Sequence, residues 1–229
     1  MAELSTLLLF PGLGADPRVF GPQRRVPFAI RSAEYPEPES QRESLAHYAH
    51  RMASRLEKGP NLYVGGVSLG ALIALEAARL LEARGVFLIG GCTSHKQISG
   101  LFRSVLAAGA TMPRRFIRPT LLLAPAAFKM FERLTPEHRA LMTCVLREHS
   151  PEQTRWSCRA ILEWECCAMP PEAPVHAIHG EDDEVIPLKN VEVERVVQGG
   201  RHLINLQCAG DVNAFLTSHL EMRFETQNP

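Results

Sequence analysis

The chain has no excess charge of either sign, because 25 Lys and Arg balance 25 Asp and Glu over 229 residues. That balance leaves no net field to gather nucleic acid, an anionic membrane or another polyanion, so a small-molecule partner is expected, with no nucleic acid and no membrane. The chain also lacks a transmembrane run, an internal repeat and a low-complexity tract, which sets aside integral-membrane, solenoid and disordered classes. Its opening, MAELSTLLLFPGLG, has no basic region and too short an apolar run for a secretory signal, which predicts a cytoplasmic protein. Six cysteines are scattered (Cys92, Cys144, Cys158, Cys166, Cys167 and Cys208), and the adjacent pair Cys166 and Cys167 lacks the spacer of a zinc knuckle. Reduced thiols, no disulfide framework and no metal site follow.

What is present fits one α/β domain, since a chain of this length buries a substantial core without disulfide or metal support. Short apolar runs at Leu4 to Phe10, Val26 to Arg31, Asn61 to Gly65, Val86 to Gly90, Val175 to His179 and Val193 to Val197 read as six strands. Helical patterns between them imply a mostly parallel, doubly wound sheet covered on both faces. Ser44 to Glu57 and Leu69 to Ala83 are the two clearest helices, and Asp211 is expected to cap a third running from Val212 to about Glu221. Residues 93–170 break the alternation, with helical patterns and proline punctuation but no strand. They read as a helical cap inserted into a core of residues 1–92 and 171–229. Apolar clusters such as Leu121 to Leu123 and Phe128 to Phe131 sit beside Arg103, Arg114, Arg115, Arg118 and Arg133, and read either as helices packing their apolar faces with the arginines in solvent or as an apolar substrate roof.

The third strand runs directly into Gly66-Val67-Ser68-Leu69-Gly70 and then into the apolar helix. A sharp strand-to-helix turn holds a serine in strained geometry, and glycine on both sides leaves room for it, so Gly66 and Gly70 are elbow residues and Ser68 is the candidate nucleophile. A serine hydroxyl is inert until a base takes its proton. Of nine histidines, His202 stands just past the last strand, on the edge where a base reaches Ser68; His47, His50, His138 and His149 fall in helical patterns, and His176 and His179 belong to a strand, where a structural imidazole is expected. An acidic loop after the fifth strand, Glu181 to Glu184, supplies the orienting carboxylate, with Asp183 chosen and Asp182 its competitor. Pro11-Gly12-Leu13-Gly14 follows the first strand and can turn backbone donors toward an oxyanion. The N–H groups of Leu13 and Leu69 are the expected pair, with Gly12 and Gly14 shaping the turn.

The segments PGLGADPRVF, GVSLG, HGEDDEVIP and GGRH, in that order, resemble the α/β-hydrolase superfamily, particularly its small cofactor-free carboxylesterases with a helical cap after the sixth sheet strand. The resemblance spans nearly the whole chain, although the early strands of larger members are missing. In that family the acid is the fourth residue of a GxxDxxxP pattern, which maps onto Gly180, Asp183 and Pro187. The resemblance implies attack by Ser68 on an ester carbonyl, an acyl-enzyme and its hydrolysis by a His202-activated water, with no cofactor. The usual HG before the oxyanion turn is Pro11-Gly12 here, which costs a side chain but no backbone donor.

Three rivals stand beside this reading. Gly12-Leu13-Gly14 after a strand, with Glu34 about twenty residues on, suggests a dinucleotide-binding oxidoreductase, although Pro17 occupies the place of the third glycine. The hydrolase frame could also serve a non-catalytic binding module. The cap arginines could mark a thioesterase acting on a carrier-linked acyl group. The small chain favours short p-nitrophenyl esters and a monomer or small homo-oligomer.

Overall fold

A computed structural model describes residues 5–167 and 171–225, with 221–225 by backbone alone. Leu4, at the expected start of the first strand, and residues 168–170, at the expected end of the cap, lie outside the described residues, as do the termini 1–3 and 226–229 of the expected core. The six expected strands are all present: β1 (Thr6–Phe10), β2 (Ala29–Ser32), β3 (Leu62–Val67), β4 (Val86–Ile89), β5 (Val175–Gly180) and β6 (Arg195–Val197). All pair in parallel in the order β2-β1-β3-β4-β5-β6. The chain therefore runs outward from β1 to β2, then returns to β3 on the other side of β1. The crevice beyond the carboxyl ends of β1 and β3 is where such a sheet offers room for a ligand.

Side chains alternate across the sheet, and both faces are buried. Leu8, Phe10, Val64 and Leu88 enter one core with α1 (Leu45–Ala53) and α2 (Leu69–Ala78). Leu7, Leu9, Phe87, Ile89 and Ile178 enter the other with Phe215 and Leu216 of α8 (Ala209–Glu225). Ser44 caps α1 by accepting from the His47 N–H at 3.2 Å. The helix ends at Ala53, short of the expected Glu57, and turn bonds such as Ser54 N–H to the His50 carbonyl finish the segment ahead of Gly59-Pro60. All ten residues of α2 are buried, and all but Glu76, which accepts from Trp164 Nε1 at 2.6 Å, are apolar, as expected of a helix packed on a sheet and covered on its outer side. It ends at Ala78 rather than Ala83, because the chain turns through Glu82 at φ 54°, a left-handed stop. Asp211 sits within the first turn of α8 rather than capping it; α7 (Ile204–Gln207) leads almost directly into Ala209, so the helix starts earlier and Asp211 favours its positive end.

Between β4 and β5 the described residues form four α-helices and no strand: α3 (Gly100–Thr111), α4 (Arg114–Ala127), α5 (Pro136–Glu148) and α6 (Pro151–Glu163). Thr135-Pro136 and Ser150-Pro151 start the last two, each with a side-chain cap followed by proline at the first helical position. Among the described residues no helix is long and apolar enough to cross a membrane.

Two glycines let the sheet and α2 meet. A Cβ on Gly70 would overlap the Phe10 carbonyl and lie 2.6 Å from the Pro11 oxygen, while one on Gly66 would strike the backbone of Gly70. Gly70→Ala is expected to lower Tm by about 10 °C or to prevent folding, since the obstacle is backbone that cannot rotate away. Gly210→Ala, whose methyl meets open space in α8, is the matched control, with a Tm at or slightly above wild type. Differential scanning calorimetry reads both, and a Gly70→Ala protein as stable as the control would contradict the close crossing.

Candidate active site

Ser68 lies between the last residue of β3 and the first of α2, with φ 54° and ψ −117°. A non-glycine residue in this region costs about 1–3 kcal/mol and persists only where its surroundings enforce it. The enforcement here is the Gly66–Gly70 crossing, together with the Ser68 N–H donating to the Ile89 carbonyl at 3.3 Å. The turn after β1 packs against the elbow: a Cβ on Gly12 would lie 3.6 Å from the Ser68 Cβ. Gly14 holds φ +72°, and the Ala15 N–H closes the turn on the Gly12 carbonyl at 3.1 Å. The Leu69 N–H is the first of α2, one of those that helix geometry leaves without an intrahelical acceptor.

Ser68, His202 and Asp183, from three post-strand segments, form one hydrogen-bonded chain. His202 Nε2 is 2.9 Å from the Ser68 Oγ, and its Nδ1 is 2.7 Å from the Asp183 Oδ2. With the Nδ1–H donated to the carboxylate, Nε2 is left to accept the serine proton. Asp183 and His202 are buried and Ser68 is partly open to the pocket. Asp182, the competing acid, is half-exposed and faces Arg133, with the Nη2 3.3 Å from its Oδ2. The chain therefore brings Asp183, and not Asp182, to the imidazole.

Asp183 is saturated with donors. Its Oδ1 accepts from the N–H groups of Val185 at 2.8 Å and Ile186 at 2.9 Å, while Oδ2 faces His202 and also His179 Nε2 at 3.1 Å. Burial alone would raise the carboxyl's pKa, but attraction to the His202 ring and hydrogen bonds from His179 and His202 outweigh it and hold the group well below the usual 3.8. His179 was expected to be a satisfied structural imidazole; its Nε2 does meet the Ile186 carbonyl at 2.7 Å, but the same nitrogen reaches the acid. The signal for it was its place four residues before Asp183, at the mouth of the acidic loop.

Over the elbow lies a cavity of about 350 Å³. Ser68, His202, Leu13 and Leu69 open onto it, with Phe102, Leu106, Ile117 and Leu121 of α3 and α4 on the opposite side. Its 34 lining residues include no Asp, Glu, Lys or Arg. None of the five arginines read as potential substrate ligands lines this wall; Arg114 pairs with Glu152 and Arg133 with Asp182. Cys92 does line it, but burial pushes its thiol up to about 12, so it is protonated and unreactive at neutral pH. Two clusters among the described residues have metal-ligand spacing, His176–Glu194–His219 and Glu39–Glu43–His47. Neither shares a residue with the cavity. The cysteine pattern in the sequence gave no sign of either, since neither contains a cysteine; His176, Glu194 and His219 come from separate segments, while Glu39, Glu43 and His47 stand four residues apart in one.

The chain after Gly14 enters a 3₁₀ helix at Pro17–Arg25, not the α-helix whose N-terminus would hold a pyrophosphate, which removes the basis for a dinucleotide site at the first turn. A family model described as the alpha/beta hydrolase family matches residues 7–215. The chain belongs to the alpha/beta hydrolase family. Among solved structures, this family member is similar to a thermophilic esterase from Thermogutta terrifontis at 15% identity and a TM-score of 0.72, covering 95% of this chain and 90% of that one. It is similar also to an N-acyl homoserine lactonase at 18% identity and a TM-score of 0.71, covering 99% and 92%, and to a prodiginine-pathway thioesterase from Streptomyces coelicolor at 19% identity and a TM-score of 0.63, covering 95% and 91%. At these identities the likeness is one of fold. No curated protein sequence matches the chain.

Because its folded pKa is lowered, Asp183 contributes stability that is fully present above its ordinary value of 3.8 and lost as pH falls through the lowered one. Asp183→Asn has no such dependence. The stability gap between wild type and variant, read by urea unfolding, is expected to be flat near neutral pH and to narrow below about pH 4. A gap that stays constant down to about pH 3 would show that the carboxylate is not held in its charged form.

Proposed function

We propose that the protein is a serine hydrolase that cleaves carboxylic esters of neutral, apolar acyl groups. The observation that carries this reading is the uncharged cavity wall opening directly onto the Ser68–His202 pair. An acyl chain bearing a carboxylate or phosphate would be stripped of water there with no partner, at a cost of several kcal/mol. A hydrocarbon chain gains by burial instead.

In this mechanism Ser68 Oγ attacks the ester carbonyl while His202 Nε2 takes its proton. Asp183 holds the ring with Nδ1–H toward itself and stabilises the imidazolium. The developing oxyanion is met by the N–H groups of Leu13 and Leu69, the first offered by the turn after β1 and the second by the start of α2. His202 then protonates the departing alcohol, and the acyl-enzyme is released by a water that the same histidine deprotonates.

The cap arginines, which motivated a thioesterase, stand outside the cavity wall and lend that reading no support. The size of the cavity also shifts the expected acyl length upward from the short esters favoured by the sequence. It lies within the range of pockets that bury whole small ligands.

A fluorophosphonate probe is expected to label wild-type protein at Ser68 and to leave Ser68→Ala unlabelled, with His202→Ala lowering kcat by about 10⁴-fold or more. Labelling that persists in a folded Ser68→Ala protein would end the assignment. Across p-nitrophenyl esters from acetate to hexanoate, kcat/KM should climb by about fourfold per methylene, the factor that burial of one CH₂ confers. Rates that fall steadily beyond acetate would mean that the acyl chain does not enter this cavity.

A further inference from the structure

The balanced total charge conceals an uneven distribution. Residues 85–131 hold six Lys and Arg and no Asp or Glu. Of the seven large apolar side chains that stand exposed among the described residues, five are on α3 and α4. Leu101 is 70% exposed, Leu123 65% and Phe116 48%. Arginine and exposed apolar side chains therefore share the outer faces of the same two helices, and Arg103, Arg115 and Arg118 make no ion pair among the described residues. On α4, Phe116 and Leu123 are seven residues apart and lie on one face, with Arg115, Arg118 and Leu122 along the adjoining strip. Glu152 and Glu184 neutralise only Arg114 and Lys129 from neighbouring segments.

The inner faces of both helices bound the acyl cavity, so the outer face of each is turned away from it. Val105 belongs to both surfaces: it lines the cavity and is 37% exposed, which marks a mouth beside the apolar patch. Protruding leucines and a phenylalanine interleaved with cations, with no acid among them, is the pattern of helices that lie in a headgroup layer, with apolar tips in the acyl boundary and guanidinium groups at the phosphates. We propose that the outer faces of α3 and α4 dock on an anionic lipid surface, from which the cavity draws its acyl substrate. The docking itself stands independently of the esterase reading; only the delivery of substrate rests on it.

The test uses Ser68→Ala protein, so that no hydrolysis alters the lipid, floated with vesicles of phosphatidylcholine alone or with one third phosphatidylserine. Binding is expected to the mixed vesicles, to be much weaker with phosphatidylcholine alone and to fall as salt is raised. Replacing Arg115 and Arg118 together by Gln should lower partitioning roughly 30-fold, since each cation near such a surface contributes about fivefold. Leu101→Gln with Leu123→Gln should remove binding. Neither pair lines the cavity, so in protein with Ser68 intact kcat/KM for a soluble ester without vesicles is expected to be unchanged by either. Vesicle binding together with no ester hydrolysis by protein with Ser68 intact would leave the docking standing and remove the enzymatic reading. Three outcomes would overturn the docking: binding no greater to phosphatidylserine vesicles than to phosphatidylcholine, binding indifferent to both pairs of substitutions, or sedimentation velocity showing that the leucines hold two copies of the chain together instead.

Discussion

The constraint on which the rest depends is a crossing of two backbones with no space for a side chain between them. Gly70, in the first turn of α2, lies against the carbonyls of Phe10 and Pro11 at the end of β1, and Gly66 lies against Gly70 itself. Because these strands are neighbours at the switch point of the sheet, the crossing seats the start of α2 in the crevice where the chain changes direction. Ser68 has nowhere to go but the left-handed region, and its hydroxyl is carried up off the sheet. Burial of an entire ten-residue helix behind it offsets the local strain many times over. The same crossing brings the Gly12 turn within van der Waals reach of the serine, so candidate nucleophile and candidate oxyanion donors are placed by a single contact.

The acid end of the site solves a different problem. A carboxylate with no exposed side-chain surface must find donors or give up its charge. Asp183 has two from its own loop backbone and two from imidazoles, and the loop ones fix the direction of Oδ2 before His202 arrives. His179 acts here through Asp183. Its Nε2–H is shared between the Ile186 carbonyl and Oδ2, tying strand, loop and acid together, so the carboxylate is stabilised by more than the His202 ring it orients.

Much of the frame could be read from residues alone, because parallel strands buried on both faces leave continuous apolar runs that are hard to mistake. All six strands appeared where those runs lie, and Ser68 was legible because its glycines sat between a strand and an apolar helix. Asp183 and Asp182 could not be separated that way: adjacent residues point in different directions, and only the fold shows that one meets an imidazole and the other an arginine. His179 was read by its strand environment, which is correct as far as burial goes and silent about which oxygen its nitrogen meets. Helix ends were missed wherever a neighbouring element set them, as at α8, where α7 brings the chain in already turned.

The α3 and α4 pair was the least legible, and for a physical reason. Periodicity reveals a helix when one face is committed to a core, yet α3 contributes no fully buried residue and α4 only Ile117. Their inner residues face a cavity instead, so they count as neither core nor surface. Averaging charge over the chain had the same effect, since cations concentrated on two helices vanish against acids placed elsewhere. A helix with an apolar cavity on one side and an exposed apolar face on the other gains from an apolar occupant on either. The inner side suits a single hydrocarbon chain, because its wall offers nothing to pair with a charge. The outer side suits an extended surface of apolar and anionic groups, because its exposed cations are spread along the helices among exposed apolar side chains. Both demands are met by one kind of environment, in which acyl chains lie directly beneath negative headgroups.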